Sequence, residues 1–497
     1  MEDSRKTYKK GLKGIAVFGG LQVYKILLSV LTTKVSALFL GPVGSGIYGL
    51  ISSTLTTVEA VVGCGLGTSA VKDISQGKAK NDEQSIASVY TVLNRLVWIT
   101  GLAGTIGIII FAPQLSRLAF GNDEYAVWFM ILSVTVLINQ LQSGQGALLT
   151  GLRQYRLIAR QRMTAGFIGA AVSIICYYFF GVDGIVPVIL LTASSNLLVS
   201  VIVVRKVRPH KCQINFSEAV RIGNPMLKMG ISIGLGYALT SLAGFVIRAY
   251  ISHRSDVAAV GLFTASFSLI NTYLGLVFSS IESDYYPRLS AAVGDNVEYR
   301  SVMLNEIELL IFLLTPLVAL LIVFSQPVLA IFYSTKFFGA KAIICWSAFS
   351  MLVKVPGWAM SVGIISKGDT RLYLKNQIVF IVYQLGLNML CFNYWGLTGL
   401  GISFVISQFI YSVQNYFIQK RKCEIRLNRS VSVAMTVSFV IIFSLCVMAT
   451  LANDIIIYSV GTVICVFTMI FSIKELNKRL PLTGWFKSKF GIFVRKK

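Results

Sequence analysis

The sequence predicts an all-α polytopic membrane protein of about fourteen transmembrane helices, built as two six-helix lobes related by a pseudo-twofold plus a C-terminal helix pair. Three observations carry that prediction. Of the 497 residues, 55% are hydrophobic and 13% charged, where soluble domains carry about 25% charged residues. The mean hydropathy is +0.72. Apolar runs of about 20 residues, enough to cross a bilayer as helices, recur along the whole length. The alternating segments of about 10 residues that mark a membrane β-barrel are not seen. The opening "MEDSRKTYKKGLKG" is charged and the apolar run behind it is too long for a signal-peptide core, so no cleavable leader is expected.

The elements follow in chain order. A first span over 13–40 carries Lys25 and Lys34 and closes at Gly41-Pro42, a turn at its outer end. The second, 42–70, holds Glu59 and ends in "GCGLG" (63–67). That string lacks the preceding strand of a dinucleotide turn, and close helix packing explains its glycines. The third span, 86–112, has Arg95 near its inner end. The fourth, 124–146, contains "INQLQSGQG", in which Asn139, Gln142 and Gln145 recur at i, i+3 and i+6 as one stripe. Spans five and six, 163–182 and 185–204, precede the longest inner loop, 205–228. The seventh, 229–252, carries Arg248, and the eighth, 258–281, carries Asn271, Thr272 and Tyr273. Glu282 and Asp284 follow it, and Glu306 and Glu308 open the ninth, 304–325; all four are expected to be solvated acids at a membrane edge. The tenth, 340–366, contains Lys354 with no local acid. The eleventh, 376–393, has Gln384 and Asn388 at i, i+4, and the twelfth is 397–418. After a basic loop, 419–430, the pair 431–451 and 454–473 has few polar residues and reads as a lipid-facing appendage. The domains expected are an N-terminal lobe 1–209, a C-terminal lobe 210–422, and 423–497 for the extra pair and basic tail.

A net charge of +24 would suit nucleic acid, but its distribution argues otherwise. With these spans, 36 of the 45 Lys and Arg fall on the side of the two termini, while Arg117, Arg254, Lys336 and Lys341 are opposite. The positive-inside rule then puts both termini in the cytoplasm, and the basic surface suits anionic lipid. The eight cysteines lie in or beside spans or in inner loops, so no disulfide framework is expected. No Cys/His cluster suggests zinc, and "GKAKND" (77–82) lacks the spacing of a P-loop, so neither cofactor nor ATP-driven transport within this chain is expected.

The two halves look related. "GSGIYGLISS" (44–53) and "AVGLFTASFS" (259–268) share a Gly-apolar-aromatic group, Gly46-Ile47-Tyr48 and Gly261-Leu262-Phe263, each about a dozen residues after a cation, Lys34 or Arg248. "LLTGLRQYRL" (148–157) has a weaker echo in "IISKGDTRLYL" (364–374). Six spans per half give parallel repeats, with a site at their interface.

Ionisable groups inside spans normally face a bundle interior or water, because a charge at mid-bilayer costs ~2.5–3.5 kcal/mol or more. Lys34 lies roughly 10 Å along the helix from the Gly41 turn, so its stem can either snorkel outward or face a chamber. Arg95 is placed to snorkel. Lys25 is nine residues from Lys34 and points to nearly the opposite face, where Glu59 is a candidate partner. Lys34, Arg248 and Lys354 with one interior acid make a net positive chamber, which favours an anion, and Arg offers a fork suited to phosphate. The amides and Tyr273 suit sugar hydroxyls; interhelical hydrogen bonding is the plainer alternative for each.

The stretches "KVSALFLGPVGSGIYGL", "AVGLFTASFSLINTYLGLVFSSIESDYYPRLS", "FYSTKFFGAK" and "IISKGDTRLYLKNQ" resemble the Wzx-type O-antigen flippases, polysaccharide transporters of the multidrug/oligosaccharidyl-lipid/polysaccharide (MOP) superfamily. The resemblance covers about 13–420, and Lys25, Lys34, Arg248 and Lys354 fall where the enterobacterial common antigen group has basic residues. It implies a multi-pass protein of the bacterial inner membrane, not an enzyme, that moves an undecaprenyl-pyrophosphate-linked oligosaccharide to the periplasmic leaflet by alternating access. Membrane lipids, the polysaccharide polymerase and the chain-length regulator are the partners it implies. The substrate-binding set is then Lys34, Arg248, Lys354, Lys25, Asn139, Gln142, Gln145, Asn271 and Tyr273, with Glu59 the candidate for ion coupling. A multidrug antiporter of the same fold is the rival, disfavoured by the basic interior. A membrane polymerase or ligase needs a large outer loop, and those around 113–123 and 326–339 are short.

Overall fold

A computed structural model describes residues 2–210, 212, 214–451 and 453–479, with side chains from Tyr24 onward except those of Lys25, Phe216, Asp454 and Arg479. Among the described residues the chain is helical with no strand, and eleven helices or helix runs are long and apolar enough to cross a membrane. In chain order the α-helices are α1 (Glu2–Gly63), α2 (Leu66–Ala79), α3 (Glu83–Phe120), α4 (Ala126–Gly151), α5 (Tyr155–Phe180), α6 (Ile185–Val204), α7 (Phe216–Arg254), α8 (Val257–Ala291), α9 (Asn296–Val323), α10 (Ser325–Phe332), α11 (Lys341–Ser366), α12 (Thr370–Cys423), α13 (Arg429–Leu451) and α14 (Asp454–Arg479), of which α2 and α10 are too short to cross.

The expected Gly41-Pro42 turn is a sharp break within α1. Gly41 has φ 62° and ψ −167°, a conformation open only to glycine, and Pro42, which has no N–H to leave unpaired, restarts the helix. The second expected span, 42–70, is cut short. Cys64 (φ 43°) and Gly65 (φ 59°) are both left-handed, and the chain turns into α2. The reason is packing on α7: a methyl group on Gly65 would lie 2.3 Å from the Gly230 carbonyl oxygen, and one on Gly234 would lie 2.7 Å from the Gly65 nitrogen. "GCGLG" is thus a backbone contact, as close-packing glycines allow.

Helices run beyond the expected spans where polar ends continue the pattern. Most of the loop drawn over 205–228 is the first part of α7, which starts at Phe216. The ninth helix starts at Asn296, where Asp295 accepts from the Val297 and Glu298 amides as its cap. That earlier start corrects the reading of Glu306 and Glu308 as solvated acids. They are 3% and 4% exposed, two to three turns inside the helix. Glu306 accepts from Arg288 Nη2 at 2.7 Å, and Glu308 from Ser430 Oγ at 2.6 Å. Glu282 and Asp284 are exposed as expected.

Local geometry repeats along the chain at a spacing of 215 residues. Helices α4 and α11 start at Ala126 and Lys341, and α5 and α12 at Tyr155 and Thr370. Arg153 (φ 53°) and Gly368 (φ 78°) make the same turn. In it the Arg153 and Gln154 amides donate to Thr150 and Leu149, and the Gly368 and Asp369 amides donate to Ile365 and Ile364. Gly181 (φ 53°, ψ −122°) and Gly396 (φ 56°, ψ −138°) break α5–α6 and α12 alike. Lys34 and Arg248 are 214 residues apart, one residue out of this register.

Two compact units result. The first comprises 1–261 and 331–336. There α1 packs on α3, α4, α5 and α7, and α7 also packs on α2 and α3. Leu66, Ile74, Leu93, Val97, Leu148 and Met226 form its core. The second comprises 262–330 and 337–497, with α11 at its centre, packed on α9, α12 and α13. Helices α13 and α14 are integral to it, both lying on α9, while Val433, Val440, Val463 and Phe467 stay exposed.

Candidate substrate and coupling site

In the first unit the α4 stripe meets Glu59 of α1. Asn139 Nδ2 donates to Glu59 Oε1 at 2.7 Å, and the neighbouring Gln140 donates from Nε2 to the Glu59 carbonyl at 3.0 Å. Both ends of the glutamate are therefore held by one turn of α4. Gly63 makes this possible, since a methyl group there would lie 2.7 Å from the Gln140 amide nitrogen. Gln140 was not among the residues singled out by sequence; it lies off the i, i+3, i+6 face, and its place beside Asn139 was the available signal. Gln142 is half-buried, and Gln145 buries its Oε1 with no hydrogen-bond donor among the described residues. That buried acceptor is the stripe's open position, since an unsatisfied polar group costs about 1–3 kcal/mol.

Lys34 is half-buried on α1. Arg248 is half-buried on α7 and folds back one turn, donating from Nη1 to the Gly244 carbonyl at 2.7 Å. This bond orients the head of a guanidinium, a five-donor fork whose geometry suits an anion. The Lys25 side chain, and with it the Lys25–Glu59 pairing, lies outside what the structure describes.

In the second unit Lys354 sits over an aromatic ring. Its ammonium is 5.0 Å from the Phe278 centroid, within cation–π range. Phe278 packs edge-on against Trp358 at 5.3 Å, and Tyr285, 5.7 Å from Trp358, donates its hydroxyl to the Ala359 carbonyl at 3.0 Å. These contacts fix α8 against α11 and hold the lysine's stem. No acid stands on α11 with Lys354, as expected, and Glu282 lies one turn beyond Phe278 on α8.

Asn139 and Lys354 are themselves 215 residues apart, so the same register position engages a carboxylate in one half and an aromatic ring in the other. The remaining polar residues divide. Asn271 is exposed and donates to the Phe267 carbonyl of its own helix, and Tyr273 is half-buried. Asn388 is buried and accepts from Ser403 Oγ at 2.5 Å, an internal bond across the Gly396 break. Arg95 is exposed, with one guanidinium nitrogen 3.4 Å from the Ile214 carbonyl.

The family described as polysaccharide biosynthesis protein matches residues 35–342. The chain belongs to that family. Its matched stretch holds Glu59, the α4 stripe and Arg248; Lys34 stands one residue before it and Lys354 beyond its end. Inner membrane protein YghQ of Escherichia coli (strain K12) is 23% identical over 168 residues, 34% of this chain and 47% of that protein, so the match spans about half of that relative. The probable lipid II flippase MurJ of Borreliella burgdorferi is 19% identical over 397 residues, 75% of this chain and 76% of that protein. A solved structure of lipid II flippase MurJ in an inward closed conformation aligns with a TM-score of 0.64 at 13% identity, covering 94% of this chain and 99% of that one. An inward-facing MATE family multidrug transporter of the MOP superfamily aligns with a TM-score of 0.66 at 18% identity, covering 80% and 94%. At these identities the structures establish the shared fold of MOP transporters. The MurJ match must include part of 423–497, because that segment is longer than the uncovered remainder of the chain.

Proposed function

We propose that this member of the polysaccharide biosynthesis family is a flippase that carries an undecaprenyl-pyrophosphate-linked oligosaccharide from the cytoplasmic to the periplasmic leaflet by alternating access. The observation that carries the reading is the cationic set Lys34, Arg248 and Lys354, half-buried in helices that otherwise read as membrane. Ionisable groups kept within such spans mark a substrate path, and pyrophosphate is an anion that lysines and the arginine fork suit. The amides of α4 and the hydroxyl of Tyr273 supply partners for sugars. Glu59, gripped by Asn139 and Gln140, is the coupling residue, exchanging a proton or sodium ion as the transporter cycles.

The architecture proposed is fourteen crossings, taken by dividing α1 at Gly41 and α12 at Gly396 and counting α5 and α6 separately. Twelve of them form six-helix lobes at 1–209 and 210–422, related by a pseudo-twofold that the 215-residue repeat supports, and α13 and α14 add the extra pair. The inner-side basic excess supports cytoplasmic termini in a bacterial inner membrane. The polymerase and chain-length regulator of the same polysaccharide are the proposed partners.

Complementation of a flippase-null strain tests the reading. Surface polysaccharide should return with the wild-type chain and fail with Lys34→Ala, Arg248→Ala or Lys354→Ala at equal membrane levels. Full function in all three variants removes the basis of the proposal. The MATE-like fold leaves drug antiport as the second reading, which requires drug resistance on expression and no polysaccharide phenotype.

A further inference from the structure

The 215-residue repeat also runs through surface charge. Two hairpins correspond in it: α5 and α6, joined through Gly181, and the two arms of α12, which fold back at Gly396. Arg156 and Arg160 on the first arm match Arg371 and Lys375. Arg205 and Lys206, at the end of the second arm, match Lys420 and Arg421. All of these side chains are exposed. In α12 the two ends meet, since Asp369 accepts from Lys422 and Asn376 donates to Asn415 at 3.1 Å. Basic richness alone does not produce the match, because Arg153, Arg162 and Arg208 fall opposite Gly368, Gln377 and Cys423. The positive-inside rule asks for an excess of cations on one side, not for the same positions in both halves.

The apolar residues behind these cations repeat as well. Met163 and Phe167 match Ile378 and Val382, and Leu198 and Ile202 match Val413 and Phe417. These too are exposed. Arg156, Arg160, Met163 and Phe167 stand at i, i+4, i+7 and i+11, which is one helix face. Leu198, Ile202 and Arg205 stand at i, i+4 and i+7, a face of the other arm. Each arm thus presents a stripe that is cationic at its end and apolar for about 10 Å beyond, at about 1.5 Å per residue. Little negative charge opposes it. Between Glu124 and Glu218 the only acid is Asp183, in the turn at the far end of the first hairpin. From 370 to 423 there is none, and the flanking Asp369 and Glu424 are engaged by Lys422 and Arg300. The complement of such a stripe is an amphiphile with an anionic head and hydrocarbon tails, which describes an anionic phospholipid.

We infer that each hairpin seats an anionic phospholipid of the adjoining leaflet. Its phosphate lies on the paired cations and its acyl chains run along the apolar stripes. The site is separate from the cation set Lys34, Arg248 and Lys354 and does not depend on which substrate the chain carries. The test is lipid retention by the full chain in detergent, read by native mass spectrometry. The probes are dioleoyl phosphatidylglycerol and dioleoyl phosphatidylcholine, which share their tails and differ in net charge. The wild-type chain should prefer phosphatidylglycerol. Arg156→Gln/Arg160→Gln/Arg205→Gln/Lys206→Gln and Arg371→Gln/Lys375→Gln/Lys420→Gln/Arg421→Gln should each lose part of that preference. The two sets combined should weaken phosphatidylglycerol about tenfold or more and abolish the preference. Lys72→Gln/Lys78→Gln/Lys80→Gln/Lys228→Gln, an equal loss of exposed charge outside the stripes, should leave it unchanged. Thermal melts check the fold of each variant. Where a full set melts early, the pairs Arg156→Gln/Arg160→Gln and Arg371→Gln/Lys375→Gln replace it, with a smaller loss in the same direction. A preference that survives the combined variant, or falls equally in the Lys72 set, overturns the inference. So does displacement of phosphatidylglycerol, molecule for molecule, by undecaprenyl pyrophosphate, which would make the stripes part of the substrate path.

Discussion

Asn139 Nδ2 lies 2.7 Å from Glu59 Oε1, and this bond joins the α4 amide stripe to an acid of α1. With Gln140 on the Glu59 carbonyl, one helical turn specifies the position of a carboxylate near the end of α1. Asn139→Ala should therefore destabilise the protein by about 1–3 kcal/mol, by removing the carboxylate's donor. Asn139→Ala combined with Glu59→Gln should lose less than the sum, because the pair acts as a unit. Thermal unfolding of the three variants in detergent checks this, and strict additivity would count against a direct coupling.

The cations should separate by chemistry. Arg248→Lys should keep part of the transport activity, since charge remains while the planar fork is lost. Arg248→Gln should abolish transport. Export of surface polysaccharide at matched expression is the readout, and equal activity of the two variants would remove the argument from charge.

Glycines at backbone contacts should be intolerant of a methyl group. One on Gly46 would lie 1.9 Å from the Val257 carbonyl oxygen, and one on Gly261 would lie 1.9 Å from that of Pro42. Each Gly→Ala change there should destabilise by about 1–3 kcal/mol or more, as overpacking does. Gly107→Ala on α3, with nothing within 4 Å, should be neutral or stabilise by up to about 1 kcal/mol through helix propensity. Melting temperatures of the three variants decide; a drop for Gly107→Ala as large as for Gly261→Ala would contradict the packing account.

Breaking the Arg288–Glu306 pair should be worse than replacing its acid. Arg288→Ala leaves a carboxylate that is 3% exposed without its cation, a loss of about 3–5 kcal/mol for a fully buried pair and less here because the arginine is half-exposed. Glu306→Gln removes the charge and should lose less. Denaturation of both variants would show the order, and the reverse order would refute it.

Asp369 gives a pH dependence with a defined sign. It caps α12, accepting from the Leu372 amide at 3.1 Å, and also accepts from Lys422. The Lys422 hydrogen bond first, and the Leu372 amide second, hold its carboxyl below the ordinary value of 3.8. A lowered folded-state pKa gives stability that is complete above the unfolded value and is lost as pH falls through the folded one. Asp369→Asn should flatten that acid-side loss. Stability measured from pH 5 downward, to about pH 2, is the check; an unchanged slope would exclude the contact as its source.

Much of the fold was legible because its signals are local. Hydropathy marks the spans, Gly41-Pro42 breaks α1 where a turn was expected, and Gly46 and Gly261 sit in the repeated motif that now proves to be a mutual contact, a methyl group on Gly261 falling 3.0 Å from the Gly46 nitrogen. The site was legible only as a set of suspects. Asn139 belongs to a bond with Glu59, Asn388 to internal packing, and no spacing rule separates the two, because each amide is one helical position whose partner lies on another helical segment.

The sequence by itself determined that this is a helical membrane protein with cations and an acid inside its spans, since an apolar run and a charge within it are properties of single segments. Only the tertiary structure decided that Glu59 meets Asn139, that Lys354 lies over Phe278, and that Glu306 and Glu308 are buried. Those outcomes depend on where each helix starts, how it is rotated and which neighbour it packs against. A difference of one residue in a helix turns a side chain by about 100° and changes all three.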